Sequence, residues 1–266
     1  MDGGNSAGKQ SGVGDSADFE AGFFRMQSSH SSREEKKWQE RVASTFDYFE
    51  GVCAAAADYS LGIVKRHLVG KKILEVGPAD GYMTRGLVED FDLTLVEPSE
   101  TLCQKLRQRF PRARVIPALV EDFAPSESFD NILLCHLLDH VRDPELVVRA
   151  AGSWLSPGGK IIAIAPNSES LHRQAAVRMG LLPAVNAFSE RDQAQGKRRI
   201  FNREEFRRLF SAAGLEIECF GGYWLKPVSN RQIEQQWTPE MLDAFFAVGE
   251  RCPEIAAEMY LVAHTR

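Results

Sequence analysis

A glycine-rich turn and an acidic residue that follows it at a fixed distance are the most informative pattern in the sequence. The turn is Glu75–Gly81 (EVGPADG), and Glu97 lies 20 residues after Gly77. Two glycines let the backbone approach a ligand closely at the start of a helix. An acid at this offset is placed to bind the hydroxyls of a ribose. The pattern therefore predicts a nucleoside site.

The glycine spacing indicates which nucleoside ligands fit. The GxGxxG pattern that wraps a pyrophosphate is missing, because three residues separate Gly77 from Gly81, and this disfavours NAD and FAD. No Lys-Ser or Lys-Thr follows a glycine here, which disfavours ATP and GTP. Glu75 would repel phosphate but suits a positively charged amino group or a sulfonium cation. The pattern favours an adenosyl-sulfonium ligand.

The glycine turn and Glu97 each follow a short apolar run of sequence, and we expect these runs to be the strands that position them. Helix-like sequence separates most of the runs, and this alternation predicts βαβ units and a parallel sheet buried on both faces. Ser99 and Asp143-Pro144 are predicted to cap the helices that follow them. The runs are KKILEVG, DLTLVEPS, ARVIPALVEDF, SFDNILLCHLLDHV, GGKIIAIAPN, LEIECF and AEMYLVAH.

The length of 266 residues fits one elaborated α/β domain. Residues 1–33 are rich in glycine, serine and charged side chains, so we expect a disordered tail there. Residues 34–266 are predicted to be a single domain, and two helices are expected before its first strand. An insertion over the sheet edge is expected at about 167–200, and a helical insertion at about 227–252.

Composition excludes several classes of protein. The apolar fraction of 44% and the charged fraction of 26% are those of ordinary globular proteins. A formal net charge of -5 makes nucleic acid an improbable partner and gives no attraction to an acidic membrane. The five cysteines include no CxxC pair, so neither a disulfide framework nor a zinc site is expected. With no secretory signal or membrane span expected, a cytoplasmic protein fits best.

Four motifs in order resemble one known family. Residues from about 71 to 166 resemble the core of the class I S-adenosylmethionine-dependent methyltransferases, and in particular the small-molecule ubiquinone-pathway O-methyltransferases. The resemblance implies a doubly wound, Rossmann-like, mostly parallel seven-stranded sheet with an antiparallel last strand. It also implies the cofactor S-adenosyl-L-methionine. The motifs are ILEVGPADG, LVEP, ALVEDF and FDNILLCHLLDHVRDP.

The resemblance also implies roles for individual residues. Glu75, Gly77 and Gly81, together with Asp80, would line the methionine part of the cofactor, and Glu97 would bind the ribose. Cys135 would lie near the transferable methyl group. The adenine would be bordered by Glu121, Asp122 and Phe123. The family pattern often carries aspartate two residues before Glu121, where this chain has Leu119, so adenine recognition would rest on Asp122 or on backbone groups.

Methyl transfer needs alignment and removal of a proton, and the sequence offers candidates in His136-Leu137-Leu138-Asp139-His140. If this stretch is a helical turn, His136, Asp139 and His140 share a face. His140 would then deprotonate an acceptor hydroxyl while Asp139 fixes its tautomer. Alternatively, the three bind a divalent metal together with His172. In the third interpretation they only cap the helix and close the pocket.

The predicted function is methyl transfer to a hydroxyl, or an amine, of a small-molecule acceptor, with the 167–200 insertion as a lid. His172, Arg173 and Arg199 are candidate acceptor-binding residues, which would suit an anionic or polyhydroxylated acceptor. Two alternatives stay open. One is a metal-assisted 2'-O-methyltransferase of a terminal RNA ribose, and the other is a non-catalytic partner subunit that binds an adenosyl ligand. The oligomeric state is not determined by the sequence.

Overall fold

Seven strands form one mixed sheet in a computed structural model that describes residues 33–43 and 51–266. Across the sheet the order is β3-β2-β1-β4-β5-β7-β6. Strand β7 is antiparallel to both of its neighbours, and the pairs among β1 to β5 are parallel. The strands are β1 Lys72–Val76, β2 Asp92–Val96, β3 Arg114–Ile116, β4 Phe129–Cys135, β5 Leu155–Pro166, β6 Glu216–Tyr223 and β7 Glu258–His264. The predicted sheet, including its antiparallel last strand, is confirmed.

Helices cover both faces of this sheet, and the caps expected from the sequence are present. The Ser99 hydroxyl accepts a hydrogen bond from the Leu102 N–H, and the Asp143 carboxylate accepts one from the Leu146 N–H. The helices are α1 (residues 33–42), α2 Gly51–His67, α3 Tyr82–Arg85, α4 Glu100–Arg109, α5 Pro144–Ser153, α6 Leu171–Arg178, α7 Glu190–Ala194, α8 Arg203–Ala212, α9 Asn230–Gln236 and α10 Pro239–Arg251.

Contacts divide the chain into two units, Met1–Trp38 and Gln39–Arg266, and the candidate site lies in the second. The predicted tail at 1–33 lies outside the described residues except for residue 33, which belongs to α1. Residues 44–50, between α1 and α2, also lie outside the described residues. No helix in the described part of the chain combines the length and the apolar character needed to cross a bilayer.

Alternating side chains of the strands build two hydrophobic cores, one on each face. Leu74, Ile132 and Leu134 belong to the core that also contains α5 and α8 residues. Ile73 and Leu133 belong to the other core, together with α2 and α4 residues. Because neighbouring strand residues point to opposite faces, a continuous apolar run fills both cores at once.

The strand order reverses between β1 and β4, and in open sheets of this kind ligands bind beyond the carboxyl ends of the strands at that point. The 167–200 insertion lies at this edge, since the Arg198 N–H donates to the Asp139 carbonyl after β4 at 2.8 Å. It carries α6 and α7, and the 227–252 segment carries α9 and α10. The insertion therefore lies at the carboxyl edge of the sheet.

Candidate active site

The glycine turn after β1 has a backbone shape that few residues adopt. Gly77 and Gly81 have φ angles of 68° and 84°, and Ala79 between them has 49°. A Cβ at Gly77 would lie 2.9 Å from Leu137 Cδ1, and one at Gly81 would collide with the Phe110 ring. Left-handed backbone and close packing together require glycine at both positions. The turn is thus rigidly shaped before any ligand binds.

The Glu97 carboxylate ties the end of β2 to this turn. It accepts hydrogen bonds from the Ser99 N–H at 2.9 Å and from the Ala79 N–H at 3.3 Å. Glu97 is buried, and burial raises the pKa of its carboxyl to about 7. The structure therefore brings together the two features whose spacing predicted a nucleoside site.

Glu75 lies buried at the end of β1, beside the end of β4. It accepts a hydrogen bond of 2.7 Å from the Thr84 hydroxyl of α3, and burial raises the pKa of its carboxyl to about 7. Burial also raises the pKa of the Cys135 thiol, to which the Glu75 charge adds. Cys135 is therefore a neutral, half-buried thiol close to Glu75.

The residues predicted to border adenine lie after β3. Glu121 and Asp122 end the short 3-10 helix Val120–Asp122 and are exposed, while Phe123 packs edge to face against Trp154 with ring centroids 5.2 Å apart. Leu119, at the position where the family pattern has aspartate, is buried. The Glu97 N–H donates to the Ile116 carbonyl at 3.1 Å, which places the end of β3 beside the Glu97 backbone.

His136 directly follows strand β4 and has an unusual backbone conformation. Its φ is 53°, its N–H donates to the Ile164 carbonyl at 2.8 Å, and its Nδ1 lies 3.9 Å from Glu258 Oε2 at the start of β7. About 30% of its side chain is exposed. The only non-glycine residues with left-handed backbone in the described ranges are Ala79, His136 and Trp224, and each follows a strand at the carboxyl edge. Strained backbone of this kind clusters at functional sites.

The premise that residues 136–140 form one helical turn is wrong for His136. A single turn begins only at Leu137, whose carbonyl accepts the His140 N–H at 2.9 Å. His136 stands before this turn and faces Glu258, whereas His140 Nε2 lies 3.6 Å from Asp139 Oδ2. The two imidazoles therefore have different carboxylate neighbours.

Asp139 is fully buried and forms an ion pair with Lys197 of the insertion, with 3.3 Å between Oδ2 and Nζ. Burial alone would raise the pKa of Asp139, but the charges of His140, Lys197 and His136 outweigh it and lower the pKa to about 2. Burial lowers the pKa of His140. Asp139 is thus a buried carboxylate whose charged form is favoured by its basic neighbours, above all His140 and Lys197.

The ion pair continues through the insertion. Lys197 Nζ lies 3.4 Å from Asp192 Oδ1, and Asp192 Oδ2 lies 3.3 Å from Arg173 Nη1. Arg173 also donates from Nε to the Val185 carbonyl at 2.6 Å. We call Asp139, Lys197, Asp192 and Arg173 the buried charge chain. It fastens the insertion to the turn after β4.

Two of the three residues predicted to bind an acceptor use their guanidinium groups to hold the backbone. Arg173 belongs to the buried charge chain, and Arg199 donates to the carbonyls of Leu138 at 2.8 Å, Val141 at 2.5 Å and Arg142 at 2.9 Å. The third, His172, has a buried Nδ1 without a hydrogen-bond partner. The acceptor role of all three stays a prediction, and His172 is the one with an unused atom.

The predicted metal ligands His136, Asp139, His140 and His172 do not form a recognisable metal centre. Within the described parts of the chain, no three histidine, cysteine, aspartate or glutamate side chains are arranged to hold a metal ion. Lys197 occupies the position beside Asp139 that a cation would take. The geometry therefore does not favour the metal alternative.

A cleft of about 540 Å³ opens elsewhere on the insertion. Its walls come from the first turn of α5, from α8 and from the insertion, and include Arg198, Arg199, Phe188 and Arg208. Neither the glycine turn, nor Glu97, nor His136 lines it. This cleft is distinct from the carboxyl-edge site.

Comparison with known proteins assigns the chain to a family. Residues 48–220 match the family described as "Methyltransferase domain", and the chain belongs to that family. Over 188 residues it is 27% identical to a ubiquinone biosynthesis O-methyltransferase of Idiomarina loihiensis, a match that covers 66% of this chain and 75% of the relative. The family match, the motif order and the fold identify an S-adenosylmethionine-dependent methyltransferase.

Solved structures share the same fold. One is a SAM-dependent methyltransferase, described as a possible histamine N-methyltransferase, of Thermotoga maritima, with a TM-score of 0.57, 20% identity and coverage of 79% of this chain and 89% of that one. Another is the glycopeptide N-methyltransferase MtfA complexed with S-adenosyl-L-methionine, with a TM-score of 0.54, 11% identity and coverage of 83% and 91%. These likenesses confirm the predicted fold class.

The residues at the β1–β2 edge fit the cofactor S-adenosylmethionine. The glycine turn leaves no room for a Cβ at either glycine, and two buried carboxylates, Glu75 and Glu97, lie beside it. A carboxylate has only acceptor atoms, which suits ribose hydroxyls and a cationic amino group. Acidic groups at this position do not suit a pyrophosphate.

Sequence reasoning did not identify three residues at this edge: Thr84, Lys226 and Glu258. Thr84 lies nine residues after Glu75, and its place in the helix after the glycine turn was a usable signal. Glu258 lies 122 residues after His136 in sequence, so no local spacing relates the two. Lys226 lies in the loop after β6, and only the folded chain shows its neighbours.

Proposed function

We propose that this methyltransferase transfers a methyl group to a hydroxyl group of a small-molecule acceptor, with His136 as the general base. The observation that carries the proposal is the position of His136. It stands directly after Cys135 at the end of β4, in a left-handed conformation, with the Glu258 carboxylate 3.9 Å from Nδ1. A carboxylate behind an imidazole orients the ring and stabilises it when it accepts a proton.

The cofactor supplies an activated methyl group on a sulfonium leaving group when it is bound. The chain's own residues then have to hold both partners in line and remove a proton. We assign Glu97 to the ribose and the turn Glu75–Gly81 to the methionine part, with Phe123 and Asp122 beside adenine. Cys135, between Glu75 and His136, borders the methyl group.

His136 is a better candidate for the base than His140. His140 is 8% exposed, and its carboxylate neighbour Asp139 is already balanced by Lys197. Neutralising that carboxylate weakens its effect on the imidazole. His136 is more exposed, and no lysine of residues 33–43 or 51–266 forms an ion pair with Glu258 within 4 Å. Burial raises the pKa of Glu258, and the charges of His136, Lys197 and Lys226 oppose this shift.

The choice of a small hydroxylated acceptor rests on three supports. Methyl transfer to oxygen needs a base to remove the hydroxyl proton, and histidine is the side chain that most often serves as a general base. A similar protein is named an O-methyltransferase of ubiquinone biosynthesis. The 167–200 insertion, held by the buried charge chain, forms a wall over the carboxyl edge and would act as the acceptor lid.

Replacement of His136 by Asn tests the proposal. Labelled S-adenosylmethionine is incubated with the protein and a metabolite extract, and the labelled product is identified by mass spectrometry. With that acceptor, His136→Asn should lower kcat by about 10²-fold to 10⁴-fold, the usual contribution of a general base. Binding of S-adenosylhomocysteine, measured by calorimetry, should not change.

His264→Asn, at the end of β7, is the matched control and should keep full activity. An equal loss of kcat in His140→Asn alone, with His136→Asn active, would return the base role to His140. A labelled RNA product, or a chelator-sensitive reaction, would favour the metal-assisted alternative. Cofactor binding with no labelled product in any extract would favour the binding-only subunit.

A further inference from the structure

The carboxyl edge holds a group of buried polar atoms that no described residue satisfies. The group includes the Trp224 indole N–H and His172 Nδ1, and also Glu258 Oε2, Ser170 Oγ and both carboxylate oxygens of Asp139; all are buried and have no hydrogen-bond partner. Trp224 follows the end of β6, and His172 lies in α6. A buried polar group left unpaired costs about 1–3 kcal/mol, so atoms of this kind require an explanation, and a bound ligand is the one that we argue for here.

Lys226 lies beside these atoms. Its Nζ is 4.9 Å from the centroid of the Trp224 ring. It makes no ion pair with any residue of 33–43 or 51–266, although Glu258 and Arg173 are near enough for their charges to act on it. Burial lowers the pKa of Lys226 to about 8, and burial with the Lys226 charge lowers the pKa of His172 to about 3. Lys226 is thus a partly buried lysine with no carboxylate within ion-pair distance among the described residues.

Backbone contacts place these residues at the same edge as His136. The Ala257 N–H donates to the Trp224 carbonyl at 2.8 Å, and the Leu171 N–H donates to the Ile255 carbonyl at 2.9 Å. Glu258, the neighbour of His136, pairs with Pro166 at the end of β5 and with Tyr223 at the end of β6. The loop after β6 and the start of α6 therefore flank Glu258.

Trp224 itself is held in a conformation that a bulky residue rarely adopts. Its φ is 69°, its side chain is 4% exposed, and its N–H donates to the Phe246 carbonyl of α10 at 3.3 Å. A left-handed non-glycine residue costs about 1–2 kcal/mol. Packing of α10 against this loop maintains the strained residue and fixes the position of its unpaired indole N–H.

We propose that the acceptor carries a carboxylate in addition to its hydroxyl, bound by the Lys226 ammonium together with the Trp224 indole N–H and His172. A carboxylate has four lone-pair directions and no donor, so it can accept hydrogen bonds from an ammonium, an indole and a neutral imidazole at once. Hydrogen bonds between an ammonium and a carboxylate are about twice as strong as neutral ones. A single lysine partly balanced by Glu258 suits a monoanion better than a phosphate dianion.

This inference rests on the proposed function, because it takes the edge beside His136 as the acceptor site. In the proposed arrangement Lys226 and Trp224 hold one end of the acceptor, and His136 receives the proton from its hydroxyl at the other. The carboxylate is a specificity determinant and takes no part in the chemical step. Its removal should therefore change KM and leave kcat nearly unchanged.

Binding of two probes of equal shape tests the inference without any methyl transfer. A dihydroxybenzoate and the matching dihydroxybenzamide are titrated by calorimetry into the protein saturated with S-adenosylhomocysteine. The carboxylate should bind about tenfold tighter or more, as a charge-assisted contact predicts. Lys226→Met should reduce this preference to less than about twofold. Lys65→Met, an exposed residue of α2, is the control and should keep the preference.

Trp224→Phe provides a second, independent variant, since it removes the indole N–H and keeps an aromatic ring in the same place. It should lower the carboxylate preference severalfold, as loss of one hydrogen bond does. Retained affinity for S-adenosylhomocysteine shows that each variant is folded. Equal affinity of the two probes, no binding of either, or a preference that survives in Lys226→Met would overturn the inference.

The two proposals fail in different ways. If His136→Asn keeps its turnover while Lys226→Met loses the carboxylate preference, the base assignment fails and the carboxylate site stands. If His136→Asn loses its turnover while Lys226→Met keeps the carboxylate preference, the base assignment stands and the proposed carboxylate site fails. A phosphonate probe that binds tighter than the carboxylate would also count against the inference.

Discussion

The two halves of the carboxyl edge satisfy their polar groups in different ways. In the half that we assign to the cofactor, around β1 and β2, Glu97 accepts from Ser99 and Ala79, and Glu75 accepts from Thr84. These partners lie within 18 residues of each carboxylate in sequence. In the half that we assign to the acceptor, Asp139 pairs with Lys197, and His136 faces Glu258. One half is built from local motifs and the other from distant segments.

This difference separates the general part of the chemistry from the specific part. Every S-adenosylmethionine-dependent enzyme of this fold has to hold the same cofactor, and a short motif with its own hydrogen bonds can do so. The acceptor differs from enzyme to enzyme, since one scaffold hosts many reactions. Here the acceptor half consists of an insertion fastened by buried charges and of polar atoms left without partners.

The largest effect is expected from breaking the buried charge chain. Lys197→Met leaves Asp139 buried without its cation, and removal of one partner of a buried pair costs about 3–5 kcal/mol. Lys197 and Asp139 side chains are 10% and 1% exposed. Chemical denaturation followed by circular dichroism measures the loss.

Lys72→Met, at the amino end of β1, is the control for an exposed ion pair. Lys72 pairs with Glu127 at 3.4 Å, but the two side chains are 52% and 37% exposed, so we expect a loss below about 1 kcal/mol. The double variant Lys197→Met with Asp139→Asn should recover much of the stability. Similar losses for Lys197→Met and Lys72→Met would show that burial does not strengthen the Asp139–Lys197 ion pair.

The second-largest effect is expected in the variant Glu97→Gln, on its affinity for the cofactor. The amide would place an NH₂ group against the Ser99 or the Ala79 N–H and would remove a charged acceptor from the ribose hydroxyls. Hydrogen bonds to charged groups contribute about 1.5–3 kcal/mol, so affinity should fall roughly 10-fold to 100-fold. Calorimetric titration with S-adenosylhomocysteine measures it.

Glu97 also predicts a pH dependence. The pKa of Glu97 is raised to about 7, so its carboxylate is fully charged only above that pH, and wild-type cofactor affinity should decline as the pH falls through 7. The cofactor affinity of the Glu97→Gln variant should depend less on pH than that of the wild type, because the variant lacks this titrating carboxyl. Glu100→Gln, exposed on α4, is the control and should bind the cofactor as the wild type does. Unchanged affinity in Glu97→Gln would show that the ribose binds elsewhere.

The smallest effect is expected from Thr84→Val. The Thr84 hydroxyl donates to Glu75, and both residues are buried. Loss of this hydrogen bond should cost about 1–2 kcal/mol of stability and should raise the pKa of Glu75 further. Thermal unfolding compares it with Thr265→Val, an exposed residue near the end of the chain, which should show no loss. A loss of stability as large as that of Lys197→Met would contradict the predicted order of the two effects.

The sequence predicted the fold, the cofactor and the shape of the glycine turn well because these features are encoded locally. A buried parallel strand is a run of apolar residues, and a ribose-binding acid follows its glycine turn at a near-constant offset. Both features can be recognised within a few tens of residues. All seven predicted strands are present, and Gly77 and Gly81 have the left-handed backbone that the turn requires.

The acceptor half was predicted less well because its partners are distant in sequence. A helical period placed His136, Asp139 and His140 on one face, but His136 is left-handed and precedes the turn. Arg173 and Arg199 were predicted to bind an acceptor, and in the structure Arg199 donates to backbone carbonyls while Arg173 pairs with Asp192. Residue type alone does not distinguish a cation that binds a ligand from one that closes a buried ion pair.

The amino-acid sequence by itself determined the class of this protein, the order of its motifs along the chain, and the two acids near the glycine turn. Each of these features depends on residues that are close together in sequence. The tertiary structure alone decided which carboxylate faces which histidine and which cations are already paired. Those relations depend on contacts across 58 residues between Asp139 and Lys197 and across 122 between His136 and Glu258. Such contacts form only when the strand ends and the insertion meet at one edge of the sheet.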